Sequence, residues 1–195
     1  RTAGGNGLAS APAVPCYPDY HELIADPRVA AVVVVTPPAL NREICLAVVQ
    51  AQKALLVEKP LAHTLQQATK LVNKAAEMDK LLGVAFMKRY DPGVQAAKQE
   101  VDQLVSSGVL GQMLLARFYD YARDYAHPPP QHKRPEESRT VRFETWPTSP
   151  DWLSKTRADD YAWFMNAASH DINLLTYFFP ANELRLVHAG SPIQG

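Results

Sequence analysis

Lys59 and His170 are the side chains with which this chain could move a proton. Lys59 stands in Glu58-Lys59-Pro60, after the apolar run Leu55-Leu56-Val57 and before Thr64-Leu65-Gln66-Gln67. The first run reads as a buried parallel strand, and the second as a helix N-cap with a Gln three residues on. A lysine at the carboxyl end of a parallel strand points into the crevice where open α/β sheets bind ligands. Desolvation there can make it an acid/base or a group that polarises substrate. His170 lies in a stretch from Asp159 to Phe179 that reads as one helix, apolar nearly all round. Asn166, His170, Asn173 and Tyr177 are spaced four, three and four apart, so they share one face. A polar seam on such a helix must meet partners, a ligand or water. An imidazole titrates near neutrality and suits removal of a hydroxyl proton. Each group also has an ordinary explanation: Lys59 as a solvated loop residue, His170 as a hydrogen-bonded packing histidine.

The elements that must position these groups repeat one unit. Val29–Val35 is a β-branched run followed by Thr36-Pro37-Pro38, which reads as strand, tight turn and helix start. Leu40, Ile44, Ala47, Val48 and Ala51 then fall on one helical stripe. The strand ending at Glu58 follows, then a helix with Ala68, Leu71, Val72 and Ala75 on one face, then a strand at 82–86. This is the βαβ rhythm of a doubly wound sheet. Strands near 31–35, 54–58 and 82–86 are expected to be parallel neighbours whose ends at Thr36, Glu58 and Phe86 line one edge.

Upstream, a short helix is expected over Asp19–Ala25, stopped by Asp26-Pro27. Downstream, Pro92 opens a helix with Val94, Ala97, Val101, Leu104 and Val105 on one side, and Gly108 ends it. Met113–Tyr121 reads as a strand, and residues 124–150, with six of the sixteen prolines, read as a long loop. Leu184–His188 reads as a further strand.

Charge and composition exclude several classes. Twenty basic and twenty acidic residues give a formal net charge of zero, so no nucleic-acid footprint is expected. The longest purely apolar run is too short to cross a membrane, so no membrane insertion is expected. Cys16 and Cys45 form no Cys-x-x-Cys pattern, and no His, Cys and carboxylate spacing calls for a metal. A soluble protein of a reducing, intracellular compartment is the simpler expectation.

Four motifs occur in one order: Val32–Leu40, Val57–Ala62, Phe86–Pro92 and Ser169–Leu175. Together they resemble the Gfo/Idh/MocA oxidoreductase family. The resemblance implies an α/β fold, with a partial Rossmann-type parallel sheet over 1–91 followed by a partial α+β substrate-binding domain over 92–195. It implies NAD or NADP as cofactor and a small sugar-like or polyol substrate whose secondary alcohol exchanges hydride. It leaves room for a homo-oligomer or a larger assembly. Lys59 would polarise the reacting oxygen, His170 would be the general acid/base, and Asn166 would orient it or the substrate. Thr36, Pro37, Pro38, Asn41, Glu58, Lys59, Pro60 and Met87 would contact the cofactor. Arg89 and Tyr90, with Asn166 and His170, would bind substrate.

The pattern also departs from the family. Asn166 stands where an Asp is usual, Met87 where Asn is frequent, and Asn41 where a His is common. Gly5-Asn6-Gly7 has no apolar strand before it, and Pro12 and Pro15 oppose the helix that a phosphate loop requires. The expectation is a chain that starts after the first βαβ unit. A degenerate oxidoreductase fold acting as a binding or scaffold subunit is the alternative, and a glycosidase using NAD transiently is a third reading.

Overall fold

The computed structural model describes residues 14–109, 111, 115–118 and 147–179. The elements run in the order α1 (Tyr20–Ala25), β1 (Ala31–Val34), α2 (Asn41–Gln50), β2 (Ala54–Glu58), α3 (Leu65–Glu77), β3 (Leu82–Ala85), α4 (Pro92–Ser106) and α5 (Ala158–Phe178). Single 3-10 turns occupy Pro38–Leu40, Met87–Tyr90 and Lys155–Arg157.

The three strands form one parallel sheet in the order β1-β2-β3. Val34 pairs with Val57, and Glu58 with Ala85, so the strands end together. The expected edge is therefore formed. Alternation along β1 turns Val32 and Val34 inward, and Leu55 and Val57 do the same on β2. Against them pack Ile44, Cys45, Val48 and Val49 of α2, Leu71 and Ala75 of α3, and Ile24 of α1. Full burial of one such Leu or Val side chain stabilises the fold by about 1.5–3 kcal/mol. The opposite face differs from a strand buried on both sides, because Val33 and Leu56 remain exposed there. Helices α2 and α3 both cover one side, as right-handed crossovers from adjacent strands in one direction require.

Local chemistry sets the boundaries. Thr64 accepts from the Gln67 backbone N–H at 3.2 Å, and the Gln67 side chain accepts from the Thr64 backbone N–H at 3.2 Å. This is the reciprocal cap expected from the sequence. Asp91 caps α4 by accepting from the N–H groups of Gly93 and Val94, with Pro92 inside the first turn. Gly108, at φ +73°, follows the end of α4.

Three expectations change. Val72 is about half exposed rather than on the buried face of α3. No residue of α4 is fully buried. Leu115–Phe118 form no strand, since no described strand lies beside them to pair with. The rest of 113–121, the glycine-rich start, most of the 124–150 loop and the 184–188 segment lie outside the described residues.

Candidate functional site

Helix α5 crosses the carboxyl edge of the sheet and is tied to it at three levels. Near its start, the Tyr161 hydroxyl donates to the His63 carbonyl at 2.5 Å. One turn further on, Lys59 Nζ donates to the Asn166 side-chain oxygen at 2.6 Å and to its carbonyl at 2.8 Å. Near its end, Arg89 Nε donates to Asn173 Oδ1 at 2.6 Å, and its Nη2 reaches the Asn173 carbonyl and Thr176 Oγ1 at 3.4 Å. The Arg89 guanidinium also lies 5.1 Å from the Tyr177 ring centroid.

Lys59 directly follows Glu58, the last residue of β2, and is joined to Pro60 by a cis peptide bond. Its backbone N–H donates to Glu58 Oε2 at 3.0 Å. Burial is the main influence on its ammonium and holds it below the usual lysine range; the Glu58 charge opposes this, and the Lys88 charge adds to it. His170 lies one turn beyond Asn166 on the same face of α5, a rise of about 6 Å. The Phe86 ring, directly after β3, meets the imidazole edge-on with centroids 6.4 Å apart. The end of β2 and helix α5 thus meet at one edge of the sheet.

The other candidates divide. Thr36 and Pro37 follow β1 at this edge, Pro37 exposed and Pro38 half-buried in the turn behind it. Pro60 is buried, and Met87 is exposed at the start of the turn after β3. Asn41, by contrast, is only 1% exposed, and its side-chain amide is held within the protein. Its Nδ2 donates to the Leu61 carbonyl at 3.0 Å, and its Oδ1 accepts from the Thr36 hydroxyl at 3.4 Å. It therefore supports the Thr36 turn from beneath. Tyr90 is 75% exposed, and the observed bonds of Arg89 run to α5.

Residues the motifs did not single out also shape the site. Lys88 acts on Lys59 through its charge, and Tyr161 fixes α5 against the loop after Lys59. Tyr161 carries no spacing signal, because its partner is a main-chain carbonyl. Gln67 joins its helix cap to the later segment by donating from Nε2 to the Pro147 carbonyl at 3.1 Å. His63 is buried, and burial holds its imidazole below the usual range.

Two cavities open nearby. A cleft of about 680 Å³ between the starts of α2 and α3 and the 147–152 segment is lined by Arg42, Gln67, Lys70, Asp151 and Trp152. Neither Lys59 nor His170 lines it. The smaller cavity, about 230 Å³, lies against Phe86, Phe164, Met165, Ser169 and Asn173, beside the His170 turn of α5. No group of His, Cys, Asp and Glu among the described residues could hold a metal ion, and no described helix is long and apolar enough to cross a membrane.

Residues 2–86 match a family model described as an oxidoreductase family with an NAD-binding Rossmann fold. An inositol 2-dehydrogenase/D-chiro-inositol 3-dehydrogenase of Lacticaseibacillus casei is 36% identical over 102 residues, 52% of this chain and 28% of that protein. An inositol 2-dehydrogenase of Agrobacterium fabrum is 40% identical over 90 residues, 46% of this chain and 27% of that protein. The chain thus spans less than a third of these relatives. A solved myo-inositol dehydrogenase from Lactobacillus casei, in complex with NAD(H) and myo-inositol, is 37% identical. That likeness covers 46% of this chain and 26% of the other, with a TM-score of 0.43.

Proposed function

We propose, from the premise that residues 2–86 are of the Gfo/Idh/MocA oxidoreductase family, that the protein is an NAD-dependent dehydrogenase of a polyol or sugar-like secondary alcohol. The observation that carries this is the grip of Lys59 on Asn166, one turn before His170. It brings an ammonium and an imidazole to the edge of a parallel sheet, where nucleotide ligands lie in such folds. The inositol dehydrogenases among its relatives support a polyol as substrate.

The polar groups at this edge suit the nicotinamide end of the cofactor: the Thr36 hydroxyl oxygen as an acceptor and the main chain at Glu58 and Pro60, with the Lys59 ammonium beside them. Thr36, Pro37 and Pro38 would flank one side, and Met87 would close the other. Bound NAD supplies the acceptor for the hydride. The chain's own groups handle the proton and the oxygen. An ammonium has three donors, and Asn166 takes two of those on Lys59, which leaves one for the reacting oxygen. His170 takes the hydroxyl proton during oxidation and returns it during reduction. Asn166 holds Lys59 in place without adding a negative charge that would raise the basicity of His170. Phe86 and Phe164 offer an apolar wall for the C–H face of the ring.

Incubation of the full-length protein with NAD and myo-inositol tests the reading through NADH formation. Turnover that is lost in Lys59→Ala and His170→Ala is the expected result. Wild-type turnover in both variants would sink the proposed roles.

A further inference from the structure

Two cations reach α5 from the sheet side, and each meets an amide rather than a carboxylate. Lys59 bonds to Asn166 and Arg89 bonds to Asn173, two turns apart along one face, with His170 between them. Among the described residues neither cation forms an ion pair. Neither has all its donors engaged there: Lys59 keeps one N–H, and the Arg89 Nη1 donors have no partner among the described residues. Glu58 is the acid beside this seam, and its Oε2 already accepts from the Lys59 backbone N–H. Asp171 follows His170 but lies about 100° around the helix from it. The charges of Glu58 and Lys88 act on Lys59 in opposite senses.

Resting on the dehydrogenase reading, we infer that the site takes an anionic substrate, a sugar or polyol bearing a carboxylate or phosphate, with its acid group held by the free Nη1 donors of Arg89 while the one remaining Lys59 N–H serves the reacting oxygen. Uncompensated cations with unused donors favour an oxyanion, since bonds between ionised partners are about twice as strong as neutral ones. Arg89 presents a planar fork that matches a carboxylate or phosphate. A neutral polyol would leave this charge unanswered. The apolar wall of Phe86 and Phe164 beside it serves the C–H face of either kind of ring.

Calorimetry on the full-length protein with NAD present, using D-glucose, D-glucuronate and D-glucose 6-phosphate, tests this. At least one acid should bind about tenfold or more tightly than glucose, the worth of one charge-assisted bond. The stronger of the two identifies the acid group as carboxylate or phosphate. Asn173→Asp, which places a carboxylate on Arg89, should reduce that preference to about threefold or less. Where that variant does not fold, added salt serves instead, because it should weaken the acids and spare glucose. Equal binding of all three, tighter binding of glucose, or no binding by any of them would overturn the inference. Turnover separates it from the reading beneath it. Oxidation of myo-inositol with no preference for acids leaves the dehydrogenase standing and removes the anionic substrate. Tight binding of an acid, with no NADH formed from any alcohol, does the reverse.

Discussion

Lys59 Nζ donates to both oxygens of Asn166, at 2.6 Å and 2.8 Å, across 107 residues of sequence. One side chain thereby links the end of β2 to the helix that bears His170. Its loss should be felt in the transition state more than in the binding of cofactor. Lys59→Ala in the full-length protein is expected to lower kcat by about two to four orders of magnitude. Cofactor affinity should change only a few-fold. Steady-state kinetics with a parallel NAD titration checks the split; a loss confined to NAD affinity would assign Lys59 to binding alone.

Asn166→Asp restores a carboxylate one turn before His170. A negative charge there favours the protonated imidazole, so its pKa rises. Oxidation needs the neutral ring, and the acid limb of the kcat/KM profile should move to higher pH. An unmoved limb would mean that Asn166 and His170 are not electrostatically coupled.

Lys88→Met addresses Lys59 itself. Burial is the first cause of the lowered lysine pKa, and the Lys88 cation adds to it. Without that cation Lys59 keeps its proton to higher pH. If protonated Lys59 polarises the substrate oxygen, the alkaline limb should move to higher pH. A downward shift would contradict the assigned protonation state.

Cys45 is fully buried against the sheet, and burial pushes its thiol up to about 12. Thiolate is the reactive form, so alkylation near neutral pH should miss Cys45 in the folded protein and reach it in denaturant. Cys16 is exposed and serves as the comparison. Peptide mapping after labelling reads both. Labelling of Cys45 at the rate of Cys16 would mean that the packing of α2 on the sheet is wrong.

Leu71 and Val72 are neighbours on α3 with opposite surroundings, one with no exposed surface and the other about half exposed. Leu71→Ala should cost about 2–5 kcal/mol, and Val72→Ala well under about 1 kcal/mol. Denaturant unfolding of the full-length protein compares them. Equal losses would contradict the orientation of the helix.

Period and punctuation in the chain made the sheet readable. The β-branched run before Thr36, the reciprocal cap at Thr64 and Gln67, and the edge position of Lys59 all arise from contacts within a few residues. The seam through Asn166, His170 and Asn173 was readable for the same reason. What joins it was not, since spacing names a face without naming what it meets. The motif places Arg89 at the site, but its bonds to Asn173 and Thr176, made across 84 residues or more, carry no local signal. Asn41 looked like a cofactor contact, and its burial follows from the way the loop after Pro60 folds over it. Composition alone suggests a strand over Met113–Tyr121, and over Leu115–Phe118 a strand needs a partner that no local pattern supplies.

The three ties on α5, from Tyr161, Lys59 and Arg89, bear on motion. A helix fastened at both ends and in the middle is expected to move with the sheet rather than apart from it. Movement elsewhere in the chain would leave the register between the ammonium and helix α5 unaltered. On the proposed roles, Lys59 and His170 would stay assembled between turnovers rather than being brought together in each one.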